Sequence, residues 1–192
     1  LEYRGYDSWG IAAVIDKEVN LVKKTGKISE TSIGDLNIGR SGLSIGHTRW
    51  ATHGCVTELN AHPHLSSDGN TAVIHNGIIE NYYDIVSFLD CKGIKLKTQT
   101  DTEVIPCLIE FFMGEGCDFE EAFRKAVLKL EGSFAIVAVN SGSDKIISAR
   151  KASPLVIGIG DGEFFVASDV PAFLKHTNGC IPLLTDHLAL NL

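Results

Sequence analysis

The densest run of chemistry-capable side chains lies between Gly46 and Gly54, where His47, Thr48, Arg49, Trp50, Thr52 and His53 are interrupted only by Ala51. A solvated loop would favour Lys, Glu, Ser and Asp, and a core strand would not hold so many polar groups without partners. The apolar step Leu43, Ser44, Ile45 just ahead reads as a strand, so the run is either a strand end entering a recognition loop or a polar turn whose groups satisfy each other. Two more polar clusters follow, Asn76 with Gly77 and Thr100 with Asp101. An arginine fork matches a carboxylate in bidentate fashion, and an aspartate accepts from an ammonium group. Arg49 and Asp101 could therefore grip an amino acid by both ends of its α-carbon. Asn76 and Gly77 could then offer two donors to an oxyanion developing on the side chain. The bland alternatives are a helix cap for Asp101 and a turn for Asn76 and Gly77.

The histidines raise a competing use. His62 and His64 stand at i, i+2, with His47, His53 and His75 near in sequence, but no HExxH spacing or cysteine partner completes a tetrahedral set. The reading is therefore no metal and no cofactor, with the histidines, His62 among them, donating to backbone or substrate.

Residues 9–15 read as a buried strand, and residues 16–42 as strand, turn and a short helix around 32–36. After a loop at 57–70, a strand over 71–75 should end on Asn76 and Gly77, with the glycine allowing a tight turn. Asn81 should cap a helix that Gly93 stops. Thr100 and Glu103 have capping-box spacing for the next helix, in which Pro106 demands a kink or a later start. A third helix should begin at Asp118 and end at Gly132. From Ser133 the period becomes that of strands, at 134–139, 145–150, 155–159 and 163–167, before a short helix near Ser168 or Asp169 with Pro171 in its first turn. Strands, then helices, then antiparallel hairpins suggest an α+β protein of stacked layers, with helices packed between antiparallel sheets.

A chain of 192 residues fits one domain with a sizeable core, and 44% hydrophobic with 21% charged residues is ordinary for a globular protein. The net charge of −7 argues against nucleic acid or an anionic membrane as a partner. No apolar run approaches a membrane span and no signal peptide opens the chain, while five cysteines without CxxC spacing argue against a disulfide framework. The expected location is a reducing cytosol. The abrupt start on Tyr3, Arg4, Gly5, Tyr6 and Asp7 looks cut, since termini of intact domains are usually frayed and polar.

The motifs YRGYDS at 3–8, GHTRWATHG at 46–54, NAHPH at 60–64, HNGIIEN at 75–81, TDTEV at 100–104, LEGSFA at 130–135, SPLVIG at 153–158 and SDVPA at 168–172 resemble, in order, the glutaminase (class II glutamine amidotransferase) domain of glucosamine-6-phosphate synthases. The resemblance implies a four-layer αββα fold of the N-terminal-nucleophile class and hydrolysis of glutamine to glutamate and ammonia. Carried over by motif position, it implies that Arg49 binds the glutamine carboxylate with Thr52 and His53. Asp101 and the Gly77 carbonyl would hold the α-amino group, and Asn76 with the Gly77 N–H would form the oxyanion hole. Arg4 would lie close by, and Trp50 would belong to a loop closing over glutamine. The family's nucleophile is an N-terminal cysteine on a strand and helix upstream of YRGYDS. The expectation is thus a single domain over residues 1–192, truncated at its N-terminus, with a non-catalytic glutamine-binding or scaffolding fragment as the alternative. The implied partners are glutamine and C-terminal sugar-isomerase domains, in a parent enzyme expected as a homodimer. Trp9 departs from the small residue usual in the family, and is expected to pack near the gap left by the upstream segment.

Overall fold

The computed structural model describes residues 2–32, 34, 36, 38–50, 54–183 and 188–191. In chain order the elements are β1 (Ser8–Ile15), β2 (Glu18–Thr25), β3 (Leu43–Arg49), β4 (His64–Leu65), β5 (Thr71–Ile79), α1 (Tyr82–Cys91), α2 (Val104–Gly114), α3 (Phe119–Leu128), β6 (Gly132–Asn140), β7 (Ile147–Lys151), β8 (Val156–Ile159), β9 (Phe164–Ala167), β10 (Gly179–Pro182) and β11 (Leu188–Asn191). Among the described residues all pairings are antiparallel. They make one five-stranded sheet, ordered β11-β7-β6-β5-β4, and two three-stranded sheets, β2-β1-β3 and β10-β8-β9.

Alternation along the central strands assigns their two faces. Phe134, Ile136 and Ala138 of β6, with Val73 and Ile79 of β5, join Leu89, Leu108 and Phe123 of the three helices in one buried cluster. The intervening Ala135, Val137 and Val139, with Ala72, join Ala12 of β1, Ile45 of β3 and Ile157 of β8 in a second. The order of layers is thus helices, five-stranded sheet, then the two smaller sheets. This corrects the reading in which helices lie between sheets: a helix satisfies its own backbone and buries one stripe, so it can close an outer face, while the two sheet surfaces close on each other.

The helices follow local chemistry to different degrees. Asp118 caps α3, its carboxylate accepting from the Glu121 N–H at 2.9 Å. α2 begins only at Val104, which puts Pro106 in the first turn, where its missing N–H is harmless. The capping box does not form. Glu103 instead accepts from the Lys97 and Thr98 N–H groups, and the Thr100 hydroxyl meets His64 Nε2 at 3.1 Å. Asn81 also serves another end, bonding the Lys129 carbonyl and the Glu131 N–H. The expected helix around 32–36 falls partly on residues outside the described set. Near 168–172 the chain makes only a short 3-10 turn, Val170–Ala172, with Pro171 inside it.

Among the described residues β3 and β9 each keep one unpaired edge. A cavity of about 1060 Å³ lies between them, lined by β3 from Leu43 to Thr48, by β9 and by His47 and Asn76. Trp9 is buried at 1% exposure, although its Nε1 meets no partner among the described residues.

Candidate active site

β3 continues as strand through Arg49, so the first residues of the polar run are held by pairing to β1 rather than lying in a loop. Residues 45, 47 and 49 alternate onto one face, which sets Ile45 in the core and carries His47 and Arg49 to the end of the strand. Arg49 is buried at 6% exposure, and its Nη1 donates to the Cys55 carbonyl at 3.3 Å. Burial pulls its pKa down, and the charges of Asp7 and Asp101 oppose that pull.

Neither Asn76 nor Gly77 is a turn residue. β5 runs on to Ile79, and Gly77 pairs with Phe134 in mid-strand. Its φ is 129°, and a Cβ there would stand 1.9 Å from the Ser133 carbonyl oxygen. Glycine is required because the β6 backbone passes too close for any side chain. Next to it, Asn76 Oδ1 lies 2.9 Å from His47 Nε2.

Asp101 is not a helix cap either. Its Oδ2 accepts from the Ile79 N–H at 2.9 Å, tying its loop to β5 two residues beyond Gly77. The flanking hydroxyls bind buried histidines: Thr100 Oγ1 meets His64, and Thr102 Oγ1 meets His75 Nδ1 at 3.0 Å. His62 stacks on His47 at 4.3 Å between ring centroids, meets the His64 ring edge-on at 4.8 Å and accepts from the His75 N–H at 3.4 Å. Burial, the largest cause in each case, lowers the pKa of all four imidazoles, and that of His75 reaches about 4. Lys23 of β2 stands beside this cluster, its ammonium donating to the Leu59 carbonyl at 2.8 Å and its pKa pushed down to about 8 by burial.

The structure therefore gathers Arg49, Asp101, Asn76, Gly77 and His62 at the ends of β3 and β5. Trp50 lies outside this group, while Arg4 lines the same cavity as His47 and Asn76. The Trp50 indole is 61% exposed and packs on Tyr6 at 5.4 Å, while Arg4 pairs with Asp169 at 3.7 Å. Thr52 and His53 lie outside the described residues. Among the described residues no group of three or more His, Cys, Asp or Glu side chains is arranged to hold a metal ion. All five cysteines are free, and the buried Cys107 thiol is pushed up to about 12 by burial, which makes it inert. Sequence reasoning missed the roles of His47, Thr100 and Thr102. The i, i+2 relation of His47 to Arg49 and the threonines on either side of Asp101 were the available signals.

Residues 47–175 match the family model described as a glutamine amidotransferase domain. The chain belongs to this family. Among curated relatives of this amidotransferase domain, the chain is 47% identical over 189 residues to the glutamine–fructose-6-phosphate aminotransferase (isomerizing) of Sulfurisphaera tokodaii, covering 98% of this chain and 32% of that protein. It is 51% identical over 185 residues to the enzyme of the same description from Methanothermobacter thermautotrophicus, covering 95% of this chain and 31% of the relative. The chain thus spans about a third of the length of the relatives it matches. Among solved structures, an allosteric regulatory enzyme of purine biosynthesis superposes with a TM-score of 0.80 at 25% identity, over 100% of this chain and 44% of that one. The glutamine phosphoribosylpyrophosphate amidotransferase of B. subtilis gives 0.78 at 24%, over 99% and 43%. The fold is that of the N-terminal-nucleophile amidotransferases, in agreement with the fold expected from the motifs. No helix among the described residues is long and apolar enough to cross a membrane.

Proposed function

We propose that this amidotransferase domain hydrolyses glutamine to glutamate and ammonia. In the whole protein the ammonia would convert fructose 6-phosphate to glucosamine 6-phosphate on partner sugar-isomerase domains. The observation that carries the reading is the convergence of a buried Arg49, Asp101 and the Asn76–Gly77 pair at the ends of β3 and β5, with Asn76 on the wall of an open cavity. Arg49 binds the α-carboxylate as a fork. Asp101 spends one acceptor on the Ile79 N–H and retains acceptor capacity for the α-ammonium, which the Gly77 carbonyl also meets. By motif position Thr52 and His53 assist Arg49 on the carboxylate, His62 serves the substrate, Trp50 covers the glutamine and Arg4 stands close by.

The reaction follows the family's chemistry. A cysteine thiol at a chain N-terminus attacks the side-chain amide carbon while its own α-amine, whose ordinary pKa of about 7.7–8.0 suits a base at neutral pH, takes the thiol proton. The carbonyl oxygen becomes an oxyanion that the Asn76 amide and the Gly77 N–H stabilise. The proton passes to the leaving nitrogen, ammonia departs, and water then hydrolyses the thioester to glutamate and restores the thiol. The segment carrying that cysteine would lie in the cavity between the unpaired edges of β3 and β9, which has Asn76 at its wall. The five free thiols suit a cytosolic setting, and a homodimer is the assembly proposed for the whole enzyme.

Steady-state release of glutamate by the intact protein tests the reading. Arg49→Ala should weaken glutamine binding by roughly 1.5–3 kcal/mol, the worth of a charged hydrogen bond. Asn76→Ala should lower kcat about a hundredfold or more with little change in KM. Unchanged glutamine affinity in the arginine variant overturns the carboxylate assignment.

A further inference from the structure

An amide side chain has two ends of nearly equal shape and opposite hydrogen-bonding character. Asn76 can serve an oxyanion only if its NH2 faces the reacting carbonyl; the reversed amide would present a second oxygen and repel the developing charge. Some neighbouring group must decide between the two orientations.

His47 is placed to do so. Its Nε2 lies 2.9 Å from Asn76 Oδ1, its Nδ1 is buried without a well-formed hydrogen bond among the described residues, and the ring's other polar neighbour is the His75 backbone. Burial keeps the ring neutral, with one proton to place. On Nδ1 that proton would be an orphaned buried donor, the rarer and costlier case; on Nε2 it leaves only an unmet lone pair and gives a donor aimed at Asn76. An Nε2–H cannot face an amide NH2, so it admits only the orientation in which Oδ1 is turned inward and Nδ2 outward. The ring itself is clamped. It stacks on His62 at an interplanar angle of 20°, and His62 is held by the His75 N–H and by the His64 ring, each histidine in turn being fixed by a hydroxyl beside Asp101.

We propose that His47 is a positioning residue that sets which end of the Asn76 amide faces the substrate carbonyl. This rests on the oxyanion role proposed above for Asn76.

A double-mutant cycle on glutamine hydrolysis by the intact protein tests it. His47→Leu removes the donor at similar volume, and should lower kcat about thirtyfold or more while leaving KM within roughly threefold. His47→Gln, whose terminal NH2 reaches the former Nε2 position, should recover kcat to within about fivefold of the parent. In an Asn76→Ala background, His47→Leu should cost less than about threefold more, because the group it positions is gone. A folded His47→Leu protein with parental kcat, or a full-sized loss persisting in the Asn76→Ala background, overturns the proposal. If the leucine variant does not fold, His47→Asn, whose shorter amide stops near the Nδ1 position, takes its place against His47→Gln. Asn76→Ala with unchanged kcat would instead remove the oxyanion reading itself, so the two failures are told apart.

Discussion

The two faces of the five-stranded sheet are made from alternate residues of the same strands, yet they are closed in different ways. Toward the helices, Phe134, Ile136 and Ala138 meet Leu89, Leu108 and Phe123 in a dry apolar cluster with every member at or near full burial. Toward the smaller sheets the residues are Ala72, Ala135, Val137 and Val139, a thinner cluster that opens into the cavity at Asn76 and His47. Helices can seal a surface because their own hydrogen bonds are complete, whereas sheet edges leave backbone groups and space. One face supplies stability and the other can hold polar, partly open geometry. That division is why the polar groups of the candidate site collect at the ends of β3 and β5.

The largest effect should come where the division breaks down. Gly77 belongs to the proposed site, but it also lies where β5 touches the β6 backbone that serves both faces. Gly77→Ala must push β5 from the Ser133 carbonyl or abandon its φ of 129°, and should destabilise by roughly 4 kcal/mol or more in chemical denaturation, beyond any loss of activity. A Gly77→Ala protein of parental stability would show that the two faces are uncoupled there. Phe123→Ala, at 0% exposure in the helix cluster, should cost about 3–5 kcal/mol while the KM for glutamine of the remaining folded protein stays the same. A shifted KM would blur the comparison.

The smallest effect concerns acid. His47, His62, His64 and His75 all have folded pKa values below the ordinary 6.5, that of His75 at about 4. Above pH 6.5 both folded and unfolded chains hold these rings neutral and the stability is complete. Between 6.5 and the lowered folded values the unfolded chain takes protons that the folded chain refuses, so stability falls with falling pH. Thermal melts at pH 7.5 and pH 5.5 should therefore show a lower Tm at the acid value, in a window above most carboxylate titrations. Equal melting temperatures would mean that the cluster is hydrated and not buried as described.

How much of this was legible without the fold varies by residue. α3 was readable from Asp118, because its cap lies three residues from the amide it satisfies. The alternation of β6 was readable because a central strand buried on both sides is apolar throughout, and the turn to strand period at Ser133 marks it. Thr100 and Glu103 misled, since capping-box spacing shows which bonds are possible and not which competitors win. Here His64 and the Lys97 and Thr98 amides won. Asn76 and Gly77 read locally as a turn because the reason for the glycine, the Ser133 carbonyl, is more than fifty residues away in the chain.

The sequence by itself determined the family, the residue types of the candidate site and the helices whose caps are local, because motif wording and periodicity are properties of neighbours along the chain. Only the tertiary structure decided that helices cover an outer face, that β3 and β9 keep open edges among the described residues, and that four histidines pack between Asn76 and the Asp101 loop. Those arrangements depend on which strands pair and which buried polar groups find each other, and such contacts are made across long stretches of chain that local spacing does not encode.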